Sequence, residues 1–238
     1  MKYHIDTIPV WDAMKLDGEC LLCALERKTE LGEAERYLGA SVMEPDVRVN
    51  TNRLGFCKNH FQRMLDMGNR LSLALMLESH LQYVLENLPE PDGKQPGKLG
   101  KLKKYDGESP APAMLSQAGS CYVCARVKDF EKKYVSNVAY IYKKEPEFRE
   151  KLKKQPYFCL EHGAMLLDTG KQELSEERYL ELQRDVLTLM KDHLGELRKN
   201  VTAFCRSFDH RNAGKPLTED QRYAVESAIA FLSGDFTR

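Results

Sequence analysis

The chain has 238 residues, of which 42% are hydrophobic and 30% charged, and its 36 Lys+Arg balance 36 Asp+Glu. That composition suits a globular protein with one sizeable core or two modest ones, and the cancelled charge gives no global field toward nucleic acid or an anionic membrane. The stretch Met1–Val10 lacks an apolar run of signal-peptide length, and no segment approaches the roughly 18 apolar residues of a membrane span, so the expected compartment is the cytoplasm.

Taken in chain order, the first landmark is Cys20-Leu21-Leu22-Cys23, which opens a helix expected over 21–43 with Leu21, Ala24, Leu31, Leu38 and Val42 on one side. Pro45 stops that helix and suits the first turn of a short one. A third piece begins at Cys57-x-x-His60. After a break near Gly68, the stripe Leu71, Ala74, Leu77, Leu81, Val84 and Leu88 runs up to Pro89. Residues 89–112 hold five of the ten prolines and read as a linker. Its lysines 94, 98, 101, 103 and 104 are offset by Glu90, Asp92, Asp106 and Glu108, which argues against a polyanionic partner.

The same landmarks then return. Cys121-Tyr122-Val123-Cys124 opens a helix with Val127, Phe130, Tyr134, Val138 and Ile141 at helical spacing, Pro146 stands for Pro45, and Phe158-Cys159-x-x-His162 stands for Phe56-Cys57-x-x-His60. Cys20 to Cys121 is an offset of 101, and Cys57 to Cys159 is 102. This is a duplication: a first helical repeat over 1–88, the linker over 89–112 and a second repeat over 113–238. The second copy's last helix is expected across 174–209, about 50 Å long, with a stripe of Leu180, Leu187, Met190, Leu194, Leu197, Val201, Phe204 and Phe208. Such a seam needs a partner: the first repeat's long helix, or a second copy of the chain in a homodimer. Thr218-Glu219-Asp220-Gln221 is a capping box for a final helix ending at Gly234. No segment alternates at period two. The expected fold is all-α: two tandem three-helix repeats, each with a Cys3His metal site, plus a long helix and a C-terminal capping helix.

Seven cysteines in a reducing compartment call for something other than disulfides. Each repeat offers Cys-x2-Cys and then Cys-x2-His, with 33 intervening residues in the first copy and 34 in the second. Ligands at i and i+3 share one face of a turn, and two such pairs complete the tetrahedron of a closed Zn²⁺ site. The expected ligands are Cys20, Cys23, Cys57 and His60, and Cys121, Cys124, Cys159 and His162, with two Zn per chain and an Fe–S cluster as the alternative. Each site is expected within its own repeat because the near-equal spacing was duplicated as a unit. The exchanged arrangement, with Cys20 and Cys23 joining Cys159 and His162, is the other possibility. Three thiolates, one imidazole and Zn²⁺ sum to −1, which Lys58, Arg63 or a helix N-terminus would offset.

The remaining candidates read as structural. His80 and His193 lie at stripe edges, His4 and His210 near segment ends, Cys205 beside Phe204 is expected in the core, and Trp11 is a packing anchor. There is no phosphate-binding glycine loop, no H-E-x-x-H and no G-x-S-x-G, so no catalytic residue is nominated. A saturated site leaves no position for an activated water.

The Cys-x-x-Cys opening, the Pro-acid turn, the aromatic-Cys-x-x-His and the duplication together resemble an uncharacterised family of bacterial all-helical proteins, over roughly residues 13–232. Members of that family are sometimes labelled substrate-binding proteins of ABC transporters. This chain departs from that role, with no export signal, no lipoprotein cysteine near its start and no α/β pattern. The resemblance implies no activity. The expected function is therefore a zinc-stapled helical scaffold or interaction protein with an unidentified protein partner. The alternatives are a redox- or metal-responsive sensor acting through its zinc thiolates, and an Fe–S protein or enzyme using the same ligands.

Overall fold

The computed structural model describes residues 7–16, 18–90, 108–212 and 215–234. Among them there are helices and no strands, as the missing period-two pattern predicts. The chain begins with α1 (Ile8–Ala13), followed by α2 (Leu21–Leu38), α3 (Pro45–Leu54), α4 (Lys58–Asp66) and α5 (Arg70–Asn87). After the residues outside the description come α6 (Ala111–Gly119), α7 (Tyr122–Lys144), α8 (Pro146–Leu152), α9 (Leu160–Glu173) and α10 (Glu176–Ser207). The C-terminal part holds α11 (Glu219–Arg222) and α12 (Ala224–Ser233). The linker lysines 94–104 and His4 lie outside the described residues.

Local chemistry accounts for most of the boundaries. Pro45 and Pro146 occupy the first turns of α3 and α8, where a missing N–H costs nothing. Asn69 caps α5 by accepting from the Ser72 amide, and Thr218 with Gln221 forms the expected capping box. That box opens only the four residues of α11; the chain bends at Tyr223 before α12, which ends at Gly234 with φ +82°. The expected 21–43 helix instead stops at Leu38 and continues as a 3-10 turn, Ala40–Met43. The three expected pieces per copy are four helices, α2 to α5 matched by α7 to α10.

One pair of matched glycines shows how the copies diverge. Gly68 has φ +82°, a conformation L side chains rarely adopt, and it separates α4 from α5. Its counterpart Gly170 lies inside α9, where a Cβ would come within 2.7 Å of the Leu182 side chain. The same residue type breaks a helix in one copy and admits a close neighbour in the other.

The chain divides into two compact units that do not follow the repeat boundaries: residues 1–29 with 128–238, and residues 30–127. In the first unit, Leu21, Leu22 and Leu25 of α2 are buried with Val135, Val138, Phe148, Phe158, Leu166, Leu182 and Val186. Trp11 packs edge-on against Phe148 at 5.2 Å, the anchoring role its size suggests. In the second unit, Tyr37 and Leu38 are buried with Phe56, Met64, Leu73, Met76, Val123 and Val127. There the buried Tyr37 hydroxyl donates to Glu33, which also meets Arg126 at 3.3 Å. Full burial of an aliphatic or aromatic side chain contributes about 1.5–3 kcal/mol, so each of these small cores is a modest source of stability.

Helix α10 packs against α9, α11 and α12. Its buried residues are Leu182, Val186 and Leu197, whereas Leu180, Leu194 and Phe208 of the expected stripe are exposed. The 3–4 period holds and part of the stripe faces the core, since Leu197 is buried and Met190 packs against it, but α10 has apolar residues on more than one side and Leu182 and Val186 lie outside the expected stripe. Cys205, expected in the core, is exposed.

Candidate metal centres

The eight expected ligands gather into two sets, and the sets are exchanged between the copies. Cys20, Cys23, Cys159 and His162 form the first cluster; Cys57, His60, Cys121 and Cys124 form the second, with the ligand atoms of each set all within 4.8 Å of one another. The expectation of a site within each repeat is thereby corrected. Spacing alone cannot separate the two arrangements, because both copies present the same ligand pairs. What decides is the apolar residues beside each thiol pair. Leu21, Leu22 and Leu25 bury against the second copy's Phe158 and Leu166, and Val123 and Val127 against the first copy's Phe56 and Met64.

Each cluster lies wholly inside one compact unit. The pairs are held at helix starts. Cys57 and Cys159 are the N-cap residues of α4 and α9, and α2 and α7 begin directly after Cys20 and Cys121. The His162 amide donates to Cys159 Sγ at 3.5 Å, and the Cys124 amide to Cys121 Sγ at 3.5 Å. Free amides and the positive helix end both favour thiolate over thiol there. In the second cluster a further tie positions the Cys121 knuckle: the Tyr122 amide donates to the Gly55 carbonyl at 2.9 Å. Gly55 has φ +57°, and a Cβ on it would sit 2.5 Å from His80 Nε2. His80 itself donates from Nδ1 to the Asn52 carbonyl at 2.7 Å, a structural role.

The donor spacing fits a single ion. Tetrahedral Zn²⁺, with sulfur at about 2.3 Å and nitrogen at about 2.0 Å, places neighbouring ligand atoms roughly 3.5–3.8 Å apart. In the first cluster Nδ1 of His162 lies 3.2 Å from Cys23, 3.2 Å from Cys159 and 3.8 Å from Cys20, and the Cys23 and Cys159 sulfurs are 3.6 Å apart. In the second, Nδ1 of His60 lies 3.2 Å from Cys57, 3.3 Å from Cys121 and 3.4 Å from Cys124, and the Cys57 and Cys124 sulfurs are 3.9 Å apart.

The crowded donors shift one another's protonation. Burial pushes His60 down, but hydrogen bonds to Cys121 and Glu30 override it and raise His60 to about 10. His162 is raised to about 12 in the same way, by Cys159, Cys20 and Glu131 against its burial. Hydrogen bonding from Cys124 lowers Cys121 to about 3, while the neighbouring thiol of Cys121 raises Cys124. In the second cluster one thiol thus ionises readily and its neighbour resists.

The other face of each imidazole supplies a feature the ligand motif does not reveal. His60 Nε2 meets Glu30 Oε1 at 2.8 Å, and His162 Nε2 meets Glu131 Oε1 at 3.1 Å. A carboxylate there sets the tautomer that leaves Nδ1 for the metal and makes the imidazole a stronger donor. Glu30 stands seven residues after Cys23 and Glu131 seven after Cys124, an offset of 101. The register of the duplication was the signal that could have found them. The exchange extends to these residues: α2 carries thiols for the first cluster and Glu30 for the second, and α7 does the reverse. Arg63, expected to offset ligand charge, instead pairs with Glu30 at 2.9 Å, and Lys58 is exposed. Glu26 Oε2 also lies 3.7 Å from His162 Nε2.

His193 and His210 belong to neither cluster. His193 stacks on Tyr157 at 3.9 Å, and its burial lowers it from its ordinary value. His210 is exposed beside Asp209. Among the described residues no helix is long and apolar enough to cross a membrane.

A family model described as a family of unknown function (DUF6062) matches residues 1–238. No curated protein and no solved structure matches the chain.

Proposed function

The chain belongs to that family of unknown function, and we propose that it is a non-catalytic helical scaffold stapled by two Zn²⁺ ions, which presents its outer helix faces to a protein partner. The observation that carries this reading is two closed Cys3His sets, with every ligand atom of a set within 4.8 Å of the others. When bound, zinc supplies Lewis-acid cross-linking of two helix-start pairs, and in zinc-finger peptides such binding is worth on the order of 10 kcal/mol of folding free energy. Four protein donors fill a tetrahedral ion, so the residues hold it and leave no vertex for substrate. Glu30 and Glu131 orient the imidazoles, and the helix N-termini hold the thiolates. A two-iron cluster takes its ligands in two separated pairs, so sets this compact favour a single ion over an Fe–S centre.

Elemental analysis of protein purified without chelator is expected to give about two zinc per chain and no visible absorbance band. Zinc below about one per chain overturns the reading, and a strong visible band transfers the sites to iron. A redox-responsive role is supported by one further observation: Cys57 and Cys124 of the second cluster are only partly buried. Peroxide is then expected to oxidise two second-cluster thiolates to a disulfide, with peroxide reduced to water and one zinc released per chain before the other. Simultaneous loss of both ions, or retention of both, removes that role.

A further inference from the structure

Away from both clusters, the end of α10 and the segment leading into α11 enclose a cavity of about 510 Å³. That volume lies within the range of small-molecule sites. Four cationic side chains line it, Arg198, Lys199, Arg206 and Lys215, and no carboxylate does among the described residues. In a chain whose charges cancel, this is a local concentration of positive charge. Arg198 and Arg206 are eight positions apart on α10, about two turns, so they project from the same side of the helix, and Lys215 joins the lining from the segment before α11.

A neighbouring acid neutralises one of the four cations, Lys199, and leaves the other three. Glu196 is taken by Lys199 at 2.5 Å, and Asp209 by Arg211 at 2.6 Å. Among the described residues no ion pair forms at Arg198, Arg206 or Lys215. Lys215 donates to Asn212 Oδ1 at 2.9 Å, which holds its ammonium at the wall. Complementing the helix dipole accounts for Arg206 in the last turn of α10, but that field falls off within a turn and does not reach Arg198. Beside the cations, Ala203, Pro216 and Leu217 supply an apolar surface.

We propose that this cavity binds a small organic anion carrying at least two negative charges, of the phosphate-ester class, with an apolar part seated on Pro216 and Leu217. Guanidinium forks from α10 and an ammonium from the segment before α11 suit a phosphoryl group's spread oxygens. The site is independent of the metal reading, since none of its residues belongs to a cluster.

The test is calorimetric titration of the full chain with inorganic phosphate and with phenyl phosphate, which separates a bare anion from an anion with an apolar body. Phenyl phosphate is expected to bind more tightly. The double variant Arg198→Gln/Arg206→Gln is expected to weaken it at least about tenfold, the lower end for the loss of a single charge-assisted contact. Lys132→Gln/Lys191→Gln, which removes two exposed cations outside the wall, is expected to leave it unchanged. The variants replace exposed side chains, and backbone amide shifts on titration provide a second readout, expected to fall within 198–221. The proposal is overturned by no heat from either probe, by equal weakening in the control pair, or by tighter binding of a duplex DNA oligonucleotide than of phenyl phosphate.

Discussion

The two clusters use the same four ligand types on matched helix starts, yet their surroundings differ. In the first, Cys20, Cys23, Cys159 and His162 are no more than 3% exposed, and the three cysteines belong to the larger apolar core. In the second, Cys57 and Cys124 reach solvent, and the flanking core is smaller. The orienting carboxylates differ as well. Glu30 is shared between His60 and Arg63, whereas His162 has Glu131 in hydrogen-bond range and Glu26 further out. A duplicated ligand set can thus keep its chemistry while its accessibility drifts, because ligation constrains four side chains and leaves their neighbours to packing.

The largest expected effect comes from removing one ligand at each site. Cys159→Ser and Cys124→Ser should each lower the metal content by one zinc per chain. Cys159→Ser should cost more stability, several kcal/mol out of a site worth on the order of 10 kcal/mol, because its three remaining donors stay buried without their ion. Denaturant unfolding of the two variants checks this. Equal losses would mean that burial does not distinguish the sites.

A smaller effect is expected one shell further out. Glu30→Gln should weaken metal binding at the second cluster about 10- to 100-fold, as is usual for the carboxylate behind a ligating histidine. Glu131→Gln should cost less, because Glu26 already stands 3.7 Å from the same nitrogen. Competition with a chromophoric chelator resolves both constants, and a larger loss in Glu131→Gln would reverse the assignment.

Much of this was legible in the residues, and what was not has identifiable physical causes. The eight ligands, the all-helical class, the Pro45 and Pro146 helix starts and the Thr218 capping box are local statements that spacing and residue chemistry can make. The exchange of ligands between copies is a long-range statement. It rests on where Leu21, Leu22, Val123 and Val127 bury, which no local pattern encodes. Part of the α10 stripe is misplaced for a related reason: Leu180 and Leu194 keep the helical period as well as Leu182 and Val186 do, and only the packing of α9 and α12 selects between them. Glu30 and Glu131 were readable from the duplication, but only by a search of matched acidic residues as well as matched ligands.

The exchanged ligand sets are nested along the chain, the second inside the first, and this orders events during synthesis. The inner set is complete once Cys124 has left the ribosome, whereas the outer set waits for His162. A nascent chain carrying only the first copy holds two thiol-bearing half-sites and can close neither. The inner contact between His60 and Cys121 closes a separation of 61 residues; the outer one between Cys23 and Cys159 closes 136. Loop entropy separates the two closures by only about 0.7 kcal/mol, so the timing of translation, more than chain statistics, sets the order in which the two ligand sets can assemble.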